Sequence, residues 1–408
     1  MRVCVVGLGY IGLPTALMLA AHQVDVVGVD YNPEVVKTLQ SHELTFQEEG
    51  LDGLFAKALE QGIVFSGEYV PADLYIVAVA TPYDRGTKKI DATYVVAAME
   101  SVLAVCANGA IVVIESTVSP GTVDHEIRPM VDRAEKMFRK KVHLAHAPER
   151  IIPGDMVHEL LYNSRTVGAD DLSVGETVKK MYASFCQGEI VLTDIRTAEM
   201  TKVVENTYRD INIAFANELA KICRSDDMDV YEIIRIANLH PRVNILQPGP
   251  GVGGHCISVD PWFLVGDYPC DAKLIRAARE INDAMPAFVL ARIRTVMANH
   301  GLTDFSRVGL YGLTYKENVD DTRESPTLQL LHIMKKAGVQ GVQLYDPFLV
   351  REPLPEGQHG NLQSFLEACD LVVIMVGHGE LRNNLKSLDG KFVLDTRHIP
   401  GLEGAYRL

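Results

Sequence analysis

The amino-acid sequence predicts an α/β protein in which two doubly wound domains are joined by an α-helical central domain with a long helix. Short apolar runs of β type alternate with helical patterns in the first half, a segment without glycine or proline follows, and strand-like runs return near the end. The 408 residues also exceed the length of one compact core. We expect domains at residues 1–195, 196–300 and 301–408.

The first domain contains apolar runs of strand length that are separated by turn residues and helical patterns. These runs are apolar throughout, as expected for parallel strands that are covered by helices on both faces. The predicted strands are residues 2–6, 24–29, 74–79 and 110–114.

The central domain is predicted from segment 197–225, which has no glycine or proline and spaces its apolar residues for a helix. Because these residues occupy more than one helix face, we expect part of the helix to pack against another subunit, with burial inside one chain as the alternative. They are Val203, Val204, Ile211, Ile213, Phe215 and Leu219. From about residue 307, four strand-like runs predict a second α/β domain.

Charge and cysteine usage exclude several classes of protein. The net charge of -14 disfavours a nucleic-acid or anionic-membrane partner, because such partners repel an acidic protein. The seven cysteines are scattered without a CxxC pair, so we expect no disulfide framework, no zinc site and no other metal. Since there is neither a signal-peptide pattern nor an apolar run of ~18 residues, the expected location is cytoplasmic.

A GxGxxG motif follows the first predicted strand, and Asp30 follows the second. In Rossmann-like domains such glycines allow a tight turn, the next helix holds a pyrophosphate at its N-terminus, and the acidic residue accepts from a ribose hydroxyl. A carboxylate would repel the 2′-phosphate of NADP, and no arginine occurs at 31–33, so NAD is favoured. The alternative is that the glycines serve only chain reversal. The expected cofactor contacts are Gly7, Gly9, Tyr10, Ile11, Gly12 and Asp30.

Two further turns follow predicted strands at their C-terminal ends, where such sheets bind ligands. Thr81 and Pro82 follow one strand, and Ser116 and Thr117 follow another. We expect all four residues to line the cofactor cleft, with helix capping as the alternative use of the hydroxyls.

Residues 247–261 form an unusually glycine-rich segment, QPGPGVGGHCISVDP. Such a segment loses much backbone entropy on folding, so it usually brings amides close to a ligand or aims one side chain. Cys256 is the side chain that we expect to be aimed here. Glycine-rich amides would favour its thiolate, whereas the alternative is a small buried hydrophobic residue. The adjacent His255 is not expected to be the base, because neighbouring side chains usually point apart.

Several motifs occur in one order along nearly the whole chain. They are GLGYIGLP near the start, Ala147 to Arg150, Lys202 with Asn206, GGHC followed by Asp260, and KENVDDTRESP from Lys316 to Pro326. This ordered set resembles the UDP-glucose and GDP-mannose dehydrogenase family, the nucleotide-sugar 6-dehydrogenases. Within the family, the sequence looks like the branch that acts on UDP-N-acetyl-D-mannosamine, and Val259 stands where UDP-glucose enzymes have lysine. UDP-N-acetylglucosamine or another nucleotide sugar is the alternative substrate.

The resemblance implies a four-electron oxidation of a sugar alcohol to a carboxylate for surface polysaccharide synthesis, with two NAD reduced in succession. Cys256 would attack the intermediate aldehyde and carry a thiohemiacetal and then a thioester. Lys202 and Asn206 would converge on the alkoxide-like oxygen. Asp260 would hold a water or accept protons, and Glu149 would activate the water that hydrolyses the thioester. Alternatively, Lys202 is a solvated helix residue, Glu149 is a helix cap or a surface charge, and Asp260 is only a partner in the Asp-Pro turn.

The resemblance also implies further binding residues and an assembly. Lys316 and Arg323 would help bind the nucleotide side, with Arg323 assigned to the cofactor. Arg242 would reach the sugar of a neighbouring subunit, so we expect a homodimer with a shared active site. Surface ion pairs are the alternative for Arg323 and Arg397. The implied contacts of the UDP-sugar are Glu149, Arg150, Lys202, Asn206, Arg209, Arg242, Asn244, Gly253, Lys316 and Arg397.

Two other functions are compatible with parts of the sequence. A β-hydroxyacid or 6-phosphogluconate-type dehydrogenase also has this N-terminal domain and a helical partner, but it stops after two electrons and needs no cysteine. A non-catalytic dinucleotide-binding sensor needs only the glycine motif. The number of NADH molecules released per sugar separates these functions.

Overall fold

A computed structural model describes residues 1–151, 154–349 and 355–408. The chain forms two compact units, Met1–Glu205 and Asn206–Leu408, and their division falls inside a helix of 31 residues. Each unit has its own sheet with helices packed on it. The predicted fold class, two doubly wound α/β domains joined by an α-helical central domain with a long helix, is confirmed. The three domain boundaries stay a prediction.

The first unit is built on an eight-stranded sheet. Its strands are β1 (Arg2–Val6), β2 (Asp25–Val29), β3 (Val64–Ser66), β4 (Leu74–Val77), β5 (Ile111–Ile114), β6 (His143–His146), β7 (Arg165–Ala169) and β8 (Ile190–Thr193). Their order across the sheet is β3-β2-β1-β4-β5-β6-β7-β8. All neighbouring strands are parallel except β6 and β7, so β7 and β8 run opposite to the other six.

Strand β1 shows why this sheet is buried on both faces. Successive side chains of a strand point to opposite faces, and every side chain from Val3 to Val6 is apolar and buried. Val3 and Val5 belong to one hydrophobic core, whereas Cys4 and Val6 belong to the other. The helices that supply these cores and the connections are α1 (Gly12–Ala21), α2 (Pro33–Gln40), α3 (Leu51–Glu60), α4 (Thr93–Val105), α5 (Arg128–Phe138), α6 (Met156–Tyr162) and α7 (Leu172–Tyr182), with a π-helical turn at Val123–Ile127.

The second unit contains a five-stranded parallel sheet and the helices from residue 206 onwards. Helix α8 (Ile195–Ser225) begins in the first unit and ends in the second. The other helices are α9 (Val230–Ala237), α10 (Asp260–Asp267), α11 (Lys273–Asp283), α12 (Met285–Asn299), α13 (Pro326–Lys336), α14 (Leu362–Ala368) and α15 (Gly379–Asn383). Within the described part of the chain, none of the helices combines the length and the apolarity that a membrane span requires.

The strands of the second sheet are β9 (Val308–Tyr311), β10 (Gln343–Tyr345), β11 (Leu371–Ile374), β12 (Phe392–Asp395) and β13 (Tyr406–Arg407). Their order is β10-β9-β11-β12-β13, and separate hydrophobic cores cover the two faces.

The first strand of each sheet ends in the same kind of turn. The residue after that strand is a glycine with positive φ, Gly7 at +90° and Gly312 at +89°. Its N–H donates to the last residue of the neighbouring strand at 2.8 Å in both units. The N–H of the next residue donates to an acidic side chain after that neighbouring strand, Asp30 or Asp346. One turn geometry is therefore used twice in the chain.

Candidate active site

The three glycines of the GxGxxG motif are required for different reasons. Gly7 has a positive φ that favours glycine, and a Cβ on Gly12 would lie only 1.8 Å from the Gly7 carbonyl oxygen. These two residues let α1 start directly against the end of β1. A Cβ on Gly9, in contrast, would meet nothing within 4 Å. Packing inside the protein therefore does not explain Gly9, whereas close approach by a ligand does.

Asp30 is placed where a ribose could meet it. The side chain is 9% exposed, and its two oxygens accept from the N–H groups of Leu8 and Asn32, each at 2.8 Å. A carboxylate offers roughly four acceptor positions, so two backbone donors leave acceptor capacity for ribose hydroxyls. Among the side chains of the described residues, none caps the N-terminus of α1. The turn, the acidic residue and the open helix end fit the dinucleotide that the sequence predicts.

The two predicted strand-end turns are not helix caps. The next helical segments begin at Thr93 and Val123, and the residues at their N-caps are Ala92 and Thr122. Ser116 instead donates from its hydroxyl to the Val79 carbonyl at 2.7 Å, which ties the ends of two neighbouring strands together. Thr81 and Ser116 are buried, and Pro82 and Thr117 are half-buried. Their contact with a cofactor stays a prediction.

Glu149 lies after the end of β6 and is buried. It is therefore not a surface charge, and it precedes α6 by too many residues to cap it. One carboxylate oxygen forms an ion pair with Arg165, and the other accepts from the N–H of Arg150 at 2.7 Å. The Arg150 guanidinium is engaged by the protein itself, since it donates to the Ser164 carbonyl at 2.9 Å and pairs with Glu205 at 2.7 Å. Sequence reasoning missed Arg165.

Lys202 and Asn206 lie four residues apart on α8, as predicted. Lys202 is buried, which excludes a solvated lysine. The Asn206 amide donates to the Asp260 carboxylate at 2.6 Å. Asp260 is the first residue of α10 and is 3% exposed. The structure therefore joins Asn206 to Asp260, a contact that the sequence did not indicate.

Cys256 lies in the glycine-rich loop just before α10 and is exposed. Its carbonyl accepts from the N–H groups of Val259 at 3.0 Å and Asp260 at 2.8 Å, which turns the chain into the helix. Among the described cysteines, five are buried and only Cys270 is exposed as well. The thiol is thus outside every hydrophobic core, as a nucleophile requires.

The glycines of this loop are needed for close packing. Gly251 and Gly254 have φ values of +136° and +88°. A Cβ on Gly253 would lie 2.6 Å from Tyr315, and a Cβ on Gly254 would lie 2.9 Å from the same residue. The Gly254 N–H also donates to the Arg323 carbonyl at 2.9 Å. The loop that carries Cys256 is therefore seated against the segment 315–326 of the same unit.

A buried polar network, which sequence reasoning also missed, holds the start of this loop. The Gly249 N–H donates to Asn217 at 2.8 Å, Asn217 donates to Asn282 at 2.8 Å, and Asn282 donates to Asp210 at 2.8 Å. Arg279 completes the network by donating to Asp210 at 2.6 Å. Burial raises the pKa of Asp210 while Arg279 opposes this. The available signal was the spacing of Asp210 and Asn217, which are seven positions apart and therefore share one face of α8.

The remaining predicted substrate residues lie in the second unit with different surroundings. Arg209, Arg242 and Asn244 are exposed. Lys316 is half-buried, and Arg323 forms an ion pair with Asp321 at 2.7 Å. These positions leave the predicted contacts with a nucleotide sugar as predictions.

Arg397 is close to the glycine-rich loop. One guanidinium nitrogen would lie 3.1 Å from a Cβ on Gly249.

Within residues 1–151, 154–349 and 355–408, no group of three or more histidine, cysteine or acidic residues could hold a metal ion.

Three models of one protein family match successive parts of the chain. They describe the UDP-glucose/GDP-mannose dehydrogenase family: its NAD binding domain matches residues 1–186, its central domain 196–284 and its UDP binding domain 309–400. The glycine turn and Asp30 fall in the first match, and the Cys256 loop falls in the second.

Individual relatives cover almost the whole chain. A UDP-N-acetyl-D-mannosamine dehydrogenase of Methanocaldococcus jannaschii is 43% identical over 98% of this chain and 92% of that protein. An NDP-N-acetyl-D-galactosaminuronic acid dehydrogenase of Ralstonia nicotianae is 40% identical over 97% and 95%. A solved structure of a UDP-D-ManNAc dehydrogenase from Pyrococcus horikoshii has a TM-score of 0.91 and 37% identity, covering 100% of this chain and 98% of that one.

Proposed function

Because the chain belongs to the UDP-glucose/GDP-mannose dehydrogenase family, we propose that it oxidises the C6 alcohol of UDP-N-acetyl-D-mannosamine to a carboxylate. It is an NAD-dependent nucleotide-sugar dehydrogenase. The particular sugar is supported by the names of the relatives from M. jannaschii and P. horikoshii. The covalent route is supported by one observation above all: Cys256 is exposed in a loop whose glycines are required by close packing.

In the proposed mechanism, both oxidations take place at C6 of the sugar. NAD, held by the Gly7 to Gly12 turn and Asp30, supplies a hydride acceptor for each of two oxidations. Between the oxidations the Cys256 thiolate adds to the aldehyde carbon, and the thiohemiacetal that forms becomes a thioester when it loses hydride. Glu149 takes a proton from the water that adds to the thioester, and the carbon–sulfur bond then breaks to return the thiolate.

Helix α8 supplies the polar groups for the developing alkoxide in this proposal. The buried ammonium of Lys202 stabilises the negative charge of the oxygen. Asn206 lies one turn further along α8, and its amide is held by Asp260 of α10. Asp260 in turn accepts protons or orients a water. Arg397, which lies close to the start of the Cys256 loop, binds the substrate diphosphate as a charged fork.

The covalent role is tested by Cys256→Ser, with Cys270→Ser as the matched control because both thiols are exposed. We expect the control to release two NADH per sugar. We expect Cys256→Ser to lose the second oxidation while it keeps NAD affinity. Two NADH per sugar from Cys256→Ser at the control's rate would contradict a covalent intermediate.

The sugar is tested by comparing kcat/KM for UDP-N-acetyl-D-mannosamine, UDP-N-acetylglucosamine, UDP-N-acetylgalactosamine, UDP-glucose and GDP-mannose. The three N-acetyl sugars differ only in hydroxyl or amide orientation, which a pocket of fixed shape discriminates. Preferred turnover of any other sugar would replace the mannosamine assignment, and turnover of UDP-glucose alone would reject the whole N-acetyl branch.

We also propose that the chain forms a homodimer through an apolar surface of the second unit, here called the α8 stripe. Tyr208, Phe215 and Ile222 are seven residues apart on α8, so they share one face, and they are 70%, 49% and 52% exposed. After them Ile236 and Leu239 are 52% and 73% exposed. Large apolar side chains that are exposed along one helix face are unfavourable in water and are typical of an interface between subunits.

Arg242 follows this apolar surface closely in sequence and is exposed. Within the part of the chain that the structure describes, its guanidinium has neither an ion pair nor a hydrogen bond. The dimer proposal gives it a partner, the nucleotide sugar bound by the neighbouring subunit. Mixing Cys256→Ser subunits with Arg242→Ala subunits tests this. A shared site predicts recovered activity in the mixed dimer, since one site then has both residues, whereas a site within one chain predicts none.

A further inference from the structure

Four buried side chains of the first unit meet at the end of the sheet where β7 reverses direction. Strands β6 and β7 pair antiparallel, with Ala145 opposite Ala169 and His146 opposite Gly168. Continuing this register by three residues places Glu149 opposite Arg165, the first residue of β7. The reversal therefore brings an arginine from the beginning of one strand to a carboxylate that follows the end of another.

The guanidinium of Arg165 contacts two carboxylates. One terminal nitrogen pairs with Glu149 and the other lies 3.6 Å from Glu115, which follows β5. The exposed fractions of the three side chains are 4%, 4% and 0%. Tyr182 on α7 donates to Glu115 at 2.9 Å, and its ring lies 4.4 Å from the guanidinium carbon. All of these groups are fixed within one unit.

The charges of this cluster do not balance when both carboxylates are ionised. One guanidinium then faces two negative groups in a buried environment, which is unfavourable unless one carboxylate takes up a proton. Burial raises the pKa of Glu115 to about 7, with Arg165 opposing and Glu149 adding to the rise. The groups that face Glu115 are Arg165 on β7, Glu149 after β6, Tyr182 on α7 and Thr15 on α1, and Cys186 faces Arg165.

We propose that Arg165 and Glu115 are positioning residues for Glu149: Arg165 fixes the direction of its carboxylate, and ionised Glu115 competes for the guanidinium so that Glu149 can accept the proton of the attacking water. This inference rests on the proposed role of Glu149 in hydrolysis. Without Glu115, the guanidinium of Arg165 would balance the negative charge of Glu149 completely. When Glu149 takes the proton of the attacking water, Glu115 and Arg165 are left as a neutral pair, so the proton transfer removes the imbalance.

The deciding variant is Glu115→Gln, which keeps the shape and can still accept from Tyr182. We expect the wild-type rate of thioester hydrolysis to rise roughly 3- to 10-fold as the pH passes through about 7, because Glu115 ionises there. The variant should keep the low-pH rate throughout. A group that was only structural would change the amount of folded protein and not the pH profile.

Glu199→Gln is the matched control. Glu199 is also buried and its pKa is also raised to about 7, but it accepts from the N–H groups of Gly121 and Val123. We expect this control to keep the wild-type profile of hydrolysis.

Arg165→Lys keeps the positive charge but loses the two parallel N–H donors of the guanidinium. The thioester should therefore be hydrolysed more slowly, while the KM for NAD stays unchanged. If a lower melting temperature shows that this variant unfolds, Glu115→Gln alone decides.

The assay is a single turnover with enzyme in excess, quenched at intervals between pH 5.5 and 8.5. Carboxylate product is measured together with the intact mass of the protein, and Glu149→Gln provides the trapped thioester. Absence of any adduct in Glu149→Gln, with product still formed, would reject the covalent function itself. An adduct in Glu149→Gln together with identical pH profiles for Glu115→Gln and wild type would reject the positioning role and leave the function intact.

Discussion

Two glycines of one motif should respond to alanine in opposite ways. In Gly12→Ala the new Cβ would lie 1.8 Å from the Gly7 carbonyl oxygen and 3.0 Å from the Ala78 Cβ, so α1 has to move away from the sheet. Forcing extra volume into such a packed position costs roughly 1–3 kcal/mol. In Gly9→Ala the new Cβ meets nothing within 4 Å, and restriction of the unfolded chain stabilises the fold by about 0.4–1 kcal/mol.

Gly9→Ala should weaken the binding of NAD although it stabilises the fold. At a ligand concentration of 100 times Kd, NAD stabilises the wild type by about 2.7 kcal/mol, which corresponds to roughly 5–10 °C in Tm for a unit of this size. If the pyrophosphate approaches the backbone at Gly9, an alanine methyl weakens binding, and a 100-fold loss reduces the NAD-induced shift to about 1–2 °C.

Differential scanning calorimetry with and without NAD measures both effects. We expect Gly9→Ala to equal or exceed the wild-type Tm without NAD and to show an NAD-induced shift of only about 1–2 °C. We expect Gly12→Ala to have a lower Tm in both conditions. A full NAD-induced shift in Gly9→Ala would refute the assignment of this glycine to the cofactor, and an unchanged Tm of Gly12→Ala would refute the packing argument.

Three further predictions concern stability and assembly. Burial raises the pKa of Glu199 from 4.5 to about 7, so its protonated form contributes stability that is lost as the pH rises through this window. The unfolding free energy of Glu199→Gln minus that of wild type should therefore rise by up to roughly 3 kcal/mol between pH 5 and pH 8 in urea titrations, whereas a constant difference would contradict the titration. Asn217→Ala leaves Gly249 and Asn282 without their partner, so it should cost roughly 1–3 kcal/mol per unpaired group and lower kcat more than NAD affinity; wild-type values of both would show that the network does not hold the loop. Phe215→Lys should convert a dimer to a monomer in sedimentation at micromolar protein, and an unchanged dimer would place the interface elsewhere.

Four of the eight strands described in the first unit were predictable from local patterns. The apolar runs at 2–6, 24–29, 74–79 and 110–114 correspond to strands, and segment 197–225 corresponds to the helix Ile195–Ser225. Apolar spacing along the chain reports the period of an element, which is why these strands and this helix could be recognised. The glycine motif similarly predicted the tight turn after β1, because only glycine accepts that φ and that closeness of backbone atoms.

Strand direction and long-range polar contacts were not predictable in this way. The burial of a strand sets its apolar pattern and does not set its direction, so nothing in the sequence indicated that β7 reverses and brings Arg165 to Glu149. Likewise, the hydrogen bond from Asn206 to Asp260 joins residues 54 positions apart, and its partners look like ordinary helix residues in the sequence. The motifs named the chemical groups, whereas tertiary structure decided how they are held.

The duplicated glycine turn has a consequence for how many nucleotides one chain can hold in this manner. Asp346 of the second copy accepts from three backbone N–H groups and lies 3.2 Å from a ring nitrogen of His378, so its own surroundings nearly exhaust its roughly four acceptor positions. Asp30 accepts from two. The second turn therefore has the geometry of the first, but its acidic residue has too few free acceptor positions to bind a ribose. Calorimetric titration with NAD should saturate at one equivalent per chain.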